Sequence, residues 1–74
     1  MFFNLNTNVK TLRKKANMTQ PYLAKLLGIS KSTLANFESG QGNTSLEVLN
    51  KLHNIFNVSL DDLVYKDLSK EMKK

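Results

Sequence analysis

Residue types that carry catalysis or bind metal ions are scarce in this chain of 74 residues. There is no cysteine, so a thiolate nucleophile, a disulfide framework and a cysteine-zinc site are excluded. His53 is the single histidine, and no acid or thiol motif lies around it at metal-ligand spacing. The neighbouring carboxylates Asp61 and Asp62 fit the first turn of a helix, where negative charge is favourable. We therefore expect no catalytic centre, no metal site and no cofactor.

Hydrogen-bond donors spaced along residues 31–39 offer another kind of chemistry. Lys31, Ser32 and Asn36 share the outer side of a helical pattern, and this side is small, polar and nearly free of acids. The whole chain has eleven Lys and Arg against six Asp and Glu, which gives a net charge of +5. The first twenty residues hold four of these bases and no acid. This balance favours a polyanionic partner.

Two short helices joined by a tight turn are predicted over residues 20–39, and they would position these donors. Thr19 can cap the first helix with its hydroxyl, and Pro21 fits the first turn, where a missing N–H is no loss. Gly28 ends this helix because glycine enters the left-handed conformation without steric cost, and Ser30 can cap the next helix. The apolar positions that face inward are Leu23, Ala24, Leu27, Leu34 and Phe37.

The spacing of Ala24, Gly28 and Leu34 is that of a helix-turn-helix, whose second helix enters the DNA major groove by its N-terminal end. The stretch resembles the phage repressor and Cro type of helix-turn-helix domain, down to the segment Phe37-Glu38-Ser39-Gly40 that closes the recognition helix. The resemblance implies an all-α, compact five-helix domain that binds double-stranded DNA and regulates transcription.

Base contacts are expected near the N-terminus of the second helix if it is the recognition helix. Lys31 can donate to guanine, Ser32 can bond to several bases, and Asn36 can read adenine or bind phosphate. Thr33 or Ala35 offers a methyl group to thymine. The resemblance places Lys31, Ser32 and Asn36 outward, but it does not say which base each one reads.

Phosphate contacts are expected from the polar groups that frame this helix. Gln20 matches the glutamine that many repressor-like domains place at the start of the second helix, where side chain and backbone N–H can hold a phosphate. A cap or an ordinary surface role is the alternative for each further candidate. These candidates are Thr19, Tyr22, Gln41, Asn43 and Thr44.

Arg13 and Glu38 are expected to form a structural ion pair. In the family that the chain resembles, an arginine late in the first helix commonly pairs with the glutamate that ends the recognition helix, and both types stand at matching positions here. A guanidinium binds a carboxylate through two parallel hydrogen bonds, which would fix the angle between two helices.

Three further helices complete the expected fold. Val9, Leu12 and Ala16 mark the first, with Asn4 or Asn6 as its cap. A fourth helix, capped by Thr44 or Ser45, should face the core with Leu46, Leu49, Leu52 and Phe56, leaving Val48 and Ile55 at the margins. A short fifth helix follows a serine cap at Ser59. Together they form one domain over residues 1–74, with a core of about residues 5–65 and a charged tail 66–74 that extends the last helix or frays.

A homodimer is expected because a domain this small reads only a short half-site, and two-fold dimers bind two of them. Phe2 and Phe3 are large apolar residues that should also be buried. We expect them to pack on their own domain, to form an edge strand or to join the dimer. The predicted dimer surface is more apolar than the core requires and consists of Ile55, Val58, Leu60, Val64 and Tyr65.

An antitoxin and a small hydrolase are the alternatives to a DNA-binding regulator. An antitoxin would bind a toxin with the same fold and regulate its own operon, and a polymerase contact is a further possible protein partner. A small hydrolase lacks any catalytic motif here. No apolar run of about eighteen residues, no signal-peptide pattern and no basic amphipathic membrane helix is present, so we expect a cytoplasmic protein. The resemblance to phage repressors implies a bacterial or phage origin.

Overall fold

The computed structural model describes residues 4–41 and 44–68, and within them it contains five α-helices and no strand. This confirms the predicted all-α class. Phe2, Phe3, Asn43 and the tail from residue 69 onward lie outside the described residues. The helices are α1 (Leu5–Lys15), α2 (Gln20–Leu27), α3 (Lys31–Glu38), α4 (Leu46–Phe56) and α5 (Leu60–Tyr65).

Four helices start at the predicted hydroxyl caps. Each cap oxygen accepts a hydrogen bond from the backbone N–H three residues later, at 3.1–3.2 Å. These bonds satisfy donors that have no partner within the helix itself. The capping residues are Thr19, Ser30, Ser45 and Ser59. Gly28 ends α2 in the left-handed conformation, with φ of 75°, as expected.

The start of α1 differs from the prediction. Asn4 occupies the cap position, yet its side chain makes no capping bond and Asn6 lies inside the helix. The Asn4 amide instead donates to the carbonyl of Tyr65 at 3.2 Å, and the Asn4 backbone N–H donates to Val64 at 3.0 Å. The first turn of α1 is therefore held by the end of α5 rather than by its own cap.

The hydrophobic core lies where α1 packs on α3 and α5, and where α2 packs on α3 and α4. The prediction for the core-facing side of α4 is wrong in the first turn of the helix, because Leu46 is 75% exposed and Val48 is buried. Two residues along a helix are about 200° apart, so the face that buries Val48 and Leu52 turns Leu46 outward. The buried apolar side chains are Leu5, Val9, Leu23, Ala24, Leu27, Leu34, Phe37, Val48, Leu52, Leu63 and Leu68.

Asn8 is a fully buried polar residue on the core side of α1. Its amide nitrogen donates to the carbonyl oxygens of Leu63, at 2.8 Å, and Lys66. Its carbonyl oxygen accepts from the backbone N–H of Leu68 at 3.0 Å. The chain after α5 neither continues that helix nor frays at once, because Lys66 is extended (ψ 144°) and Leu68 is buried. The packed part of the chain thus reaches Leu68.

Candidate nucleic-acid interface

The outer side of α3 is open to solvent. Leu34 and Phe37 are buried and attach the inner side of the helix to the core, which leaves Lys31, Ser32 and Asn36 exposed. Phe37 and Asn36 are adjacent in sequence, but successive residues of a helix point about 100° apart, so Phe37 is buried while Asn36 is exposed. The predicted donors therefore stand together on one free surface.

Thr33 and Ala35 are the other two residues of α3 that were predicted to contact bases. Thr33 is exposed, but its hydroxyl accepts a hydrogen bond from the Ser30 hydroxyl at 2.8 Å. Ala35 is half-buried. Thr33 therefore has its methyl group rather than its hydroxyl to offer a base, and Ala35 is the less accessible of the two.

The charge of α3 divides between its two sides. The helix has one base, Lys31, and one acid, Glu38. Glu38 is buried against Arg13, whereas Lys31 is exposed. The exposed side therefore carries positive charge and no carboxylate, which suits an anionic partner.

The Arg13 and Glu38 side chains form a bidentate ion pair between α1 and the last residue of α3. The Arg13 Nε donates to Glu38 Oε2 at 2.8 Å, and Nη2 donates to Oε1 at 3.1 Å. Nη1 donates to the carbonyl of Met18, in the link between α1 and α2, at 2.8 Å. Both residues are only 8% exposed. This geometry is the one that the resemblance implied.

Gln20 also binds this ion pair, a contact that the sequence did not indicate. Its side-chain nitrogen donates to Glu38 Oε1 at 3.1 Å. Gln20 is the first residue of α2 and is half-buried. The amide predicted to hold a phosphate thus has one fixed partner within the protein, and its second N–H takes no part in that bond.

Sequence reasoning missed two further residues that hold the helix-turn-helix. The Asn6 amide of α1 donates to the carbonyl of Phe37 near the end of α3. The Lys51 ammonium of α4 donates to the carbonyl of Leu27, at the end of α2, at 3.3 Å. These partners are 31 and 24 residues apart, so no local pattern could have revealed them.

The remaining phosphate candidates divide by accessibility. Tyr22 and Gln41 are exposed, and Thr19 is exposed with its hydroxyl engaged as the α2 cap. The Thr44 hydroxyl is buried and has no hydrogen-bond partner among residues 4–41 and 44–68. It borders a recess of about 210 Å³ between α3 and α4. The expected phosphate contact through this hydroxyl does not fit its placement.

The expected dimer surface is only partly free. Ile55, Val58 and Val64 are half-buried and pack against the core of their own domain. Leu60 and Tyr65 are exposed. The apolar area that remains for a partner is therefore smaller than the sequence suggested.

His53 has a structural setting. Its ring Nδ1 lies 2.7 Å from the carbonyl oxygen of Val58, which joins α4 to the link that follows it. In the part of the chain that the structure describes, no three His, Asp or Glu side chains come together as metal ligands. None of the described helices has the length and apolar character needed to span a membrane.

Comparison with known proteins decides the family. The helix-turn-helix family model matches residues 9–63, which include most of α1, all of α2, α3 and α4, and the larger part of α5. The chain belongs to the repressor and Cro type of helix-turn-helix proteins. Proteins of this family are DNA-binding transcription regulators.

Similar proteins agree with this assignment. The HTH-type transcriptional regulator AnsR of Bacillus subtilis is 45% identical over 60 residues, which cover 81% of this chain and 52% of AnsR. An uncharacterized HTH-type transcriptional regulator of Archaeoglobus fulgidus is 36% identical over 63 residues, covering 85% of this chain and 89% of that protein. The chain thus spans about half of AnsR but most of the archaeal regulator. No solved structure matches significantly.

Proposed function

We propose that the protein is a sequence-specific regulator that binds double-stranded DNA as a homodimer on a two-fold operator and catalyses no reaction. The observation that carries the proposal is the division of α3: its donors Lys31, Ser32 and Asn36 are exposed, while its one carboxylate is buried. A short helix with this surface fits the major groove, where base edges offer acceptors.

The residues divide into two groups by the part of DNA that they would contact. Base contacts come from the exposed donors of α3, with Thr33 and Ala35 at the margin of the groove. Phosphate contacts come from Gln20 at the start of α2 and from the exposed side chains of Thr19, Tyr22 and Gln41. Asn43 belongs to the same predicted group. A cytoplasmic location is part of the same proposal, since the DNA of a bacterial cell lies in its cytoplasm.

The two-fold operator requires a dimer, and we place its contact on α5. Leu60 and Tyr65 are large apolar side chains that remain exposed on one short helix. Ile55, Val58 and Val64 would border their contact with a second copy. Sedimentation should show a dimer, and Leu60→Lys should convert it to a monomer with an unchanged far-UV spectrum. A native monomer at high concentration would contradict this part of the proposal.

Selection of binding sites from random duplexes tests the proposal directly. The native protein should enrich a palindromic consensus whose half-sites lie about one helical turn apart. A variant with Lys31, Ser32 and Asn36 changed to alanine should enrich no consensus. Lys10→Ala, which removes an exposed charge from α1 instead, is the matched control and should keep the consensus. Enrichment of nothing by the folded native protein would overturn the proposal.

An antitoxin function is the second candidate. Antitoxin PezA of Streptococcus pneumoniae is 36% identical over 63 residues, which cover 85% of this chain but 40% of PezA. The shared part includes the helix-turn-helix, so DNA binding would be common to both functions. Co-expression with the neighbouring gene and purification of a stable complex would favour the antitoxin, whereas isolation of the protein alone would favour the regulator.

A further inference from the structure

The carboxylate of Glu38 receives donors from two different helices. Oε2 accepts from Arg13 Nε, and Oε1 accepts from both Arg13 Nη2 and Gln20 Nε2, each at 3.1 Å. The last residue of α3 thereby joins the end of α1 to the first residue of α2. All three side chains are restrained in the protein without any partner.

Gln20 lies at the boundary between this buried pair and the solvent. Arg13 and Glu38 are almost completely buried, whereas Gln20 is half-buried. A primary amide has two N–H groups, and the bond to Glu38 uses one of them. Because the side chain is also held at its backbone end, that bond restricts the orientation of the amide and with it the directions open to the second N–H.

Arg13 has an electrostatic role in this arrangement. A carboxylate so close to the Gln20 amide would repel a nearby phosphate if it were not paired. The two hydrogen bonds from the Arg13 guanidinium place a compensating positive charge directly against Glu38. The carboxylate can therefore orient Gln20 without excluding an anion.

We propose that Glu38 is a positioning residue for DNA binding: it holds the Gln20 amide in the orientation that grips a DNA phosphate, while Arg13 neutralises its charge. The inference rests on the proposed function, since it needs a phosphate at Gln20. A glutamine that is ordered before binding loses less side-chain freedom on binding, which raises affinity without a new contact. Glu38 contributes to affinity for all sequences, although it touches no DNA.

The free protein gives the first test. Side-chain amide relaxation in nuclear magnetic resonance should show the Gln20 amide as rigid as the backbone, with Gln41, an exposed glutamine, as the mobile control. Glu38→Gln replaces the charged acceptor with a weaker neutral one, so the Gln20 amide should become more mobile than in the native protein. Equal mobility of the two glutamines in the native protein would overturn the positioning role.

A double-mutant cycle gives the second test. Dissociation constants for one duplex that lacks the operator sequence are measured at fixed salt for the native protein, Gln20→Ala, Glu38→Gln and the double variant. Far-UV spectra show that each variant is folded. Gln20→Ala and Glu38→Gln should each weaken binding about tenfold, and the double variant no further than either alone. Losses that multiply would overturn the positioning role while leaving DNA binding intact.

If the Glu38→Gln variant does not fold, the DNA affinity of Gln20→Asn is measured in its place. It keeps the amide but shortens the side chain by one methylene, so the amide no longer bridges Glu38 and a phosphate. It should lose as much affinity as Gln20→Ala, and native-like binding would overturn the positioning role. Failure of the native protein to bind any duplex would overturn the proposed function as well, whereas relaxation of the free Gln20 amide reports on the Glu38 contact independently.

Discussion

Two buried polar clusters that include residues of α1 differ in their charge and in whether they reach a partly exposed side chain. The first consists of the Asn8 amide and the backbone groups of Leu63, Lys66 and Leu68. It is neutral, and the Asn8 side chain at its centre is fully buried. The second consists of the charged pair Arg13 and Glu38 together with Gln20, and it ends at a half-buried side chain.

This difference separates a cluster that only stabilises the fold from one that is also expected to affect DNA binding. Every polar atom of the Asn8 side chain is satisfied by backbone groups, so this cluster fixes the chain after α5 against α1 and has no bond left for a partner. The Arg13 and Glu38 cluster connects three helices and leaves a donor at the edge of the proposed DNA surface. The enclosed cluster is expected to affect only stability, and the charged cluster both stability and binding.

The largest expected effect is that of Glu38→Ala on folding. Removing the carboxylate leaves the Arg13 guanidinium buried and uncompensated, which costs about 3–5 kcal/mol of unfolding free energy. Thermal melting should show a large fall in Tm, and stability should suffer more than sequence preference. The matched control is Glu47→Ala, which removes an exposed ion pair to Lys51 and should cost no more than about 1 kcal/mol. An unchanged Tm for Glu38→Ala would refute the structural role of the pair.

Asn8→Ala should have the next largest effect, and only on stability. It leaves the Leu68 N–H and the Leu63 carbonyl without their bonds, at a cost of about 2–3 kcal/mol. Urea denaturation measures this loss, with the exposed Asn54→Ala as control. DNA affinity of the folded fraction should stay at the native value. A change in affinity at full folding would remove the distinction between the two clusters.

Lys31→Ala should have the smallest effect on the fold and a selective effect on DNA. The side chain is exposed, so Tm should stay within a few degrees of the native value. Binding should weaken by about 1–3 kcal/mol on the preferred operator, and preference at one base pair should relax. Affinities measured on single-base operator variants check this. An equal loss on every variant would show that Lys31 binds the backbone rather than a base.

The local architecture could be read from the sequence because its causes lie within a few residues. A hydroxyl cap contacts an N–H three positions later, and Gly28 supplies a conformation that its own lack of a side chain permits. Apolar residues at helical spacing likewise predicted the inward sides of α2 and α3. Where only spacing was available, as at Leu46, the face of the helix was assigned wrongly.

The sequence by itself determined the helices, the hydroxyl caps of α2 to α5, the turn at Gly28 and the family to which the chain belongs. Only the tertiary structure decided that Asn8 fastens the chain after α5, that Lys51 binds the end of α2, and that Gln20 joins the ion pair. The physical reason is distance along the chain. Those bonds join residues 18 to 60 positions apart, and their partners include backbone carbonyls and N–H groups, which every residue type presents alike.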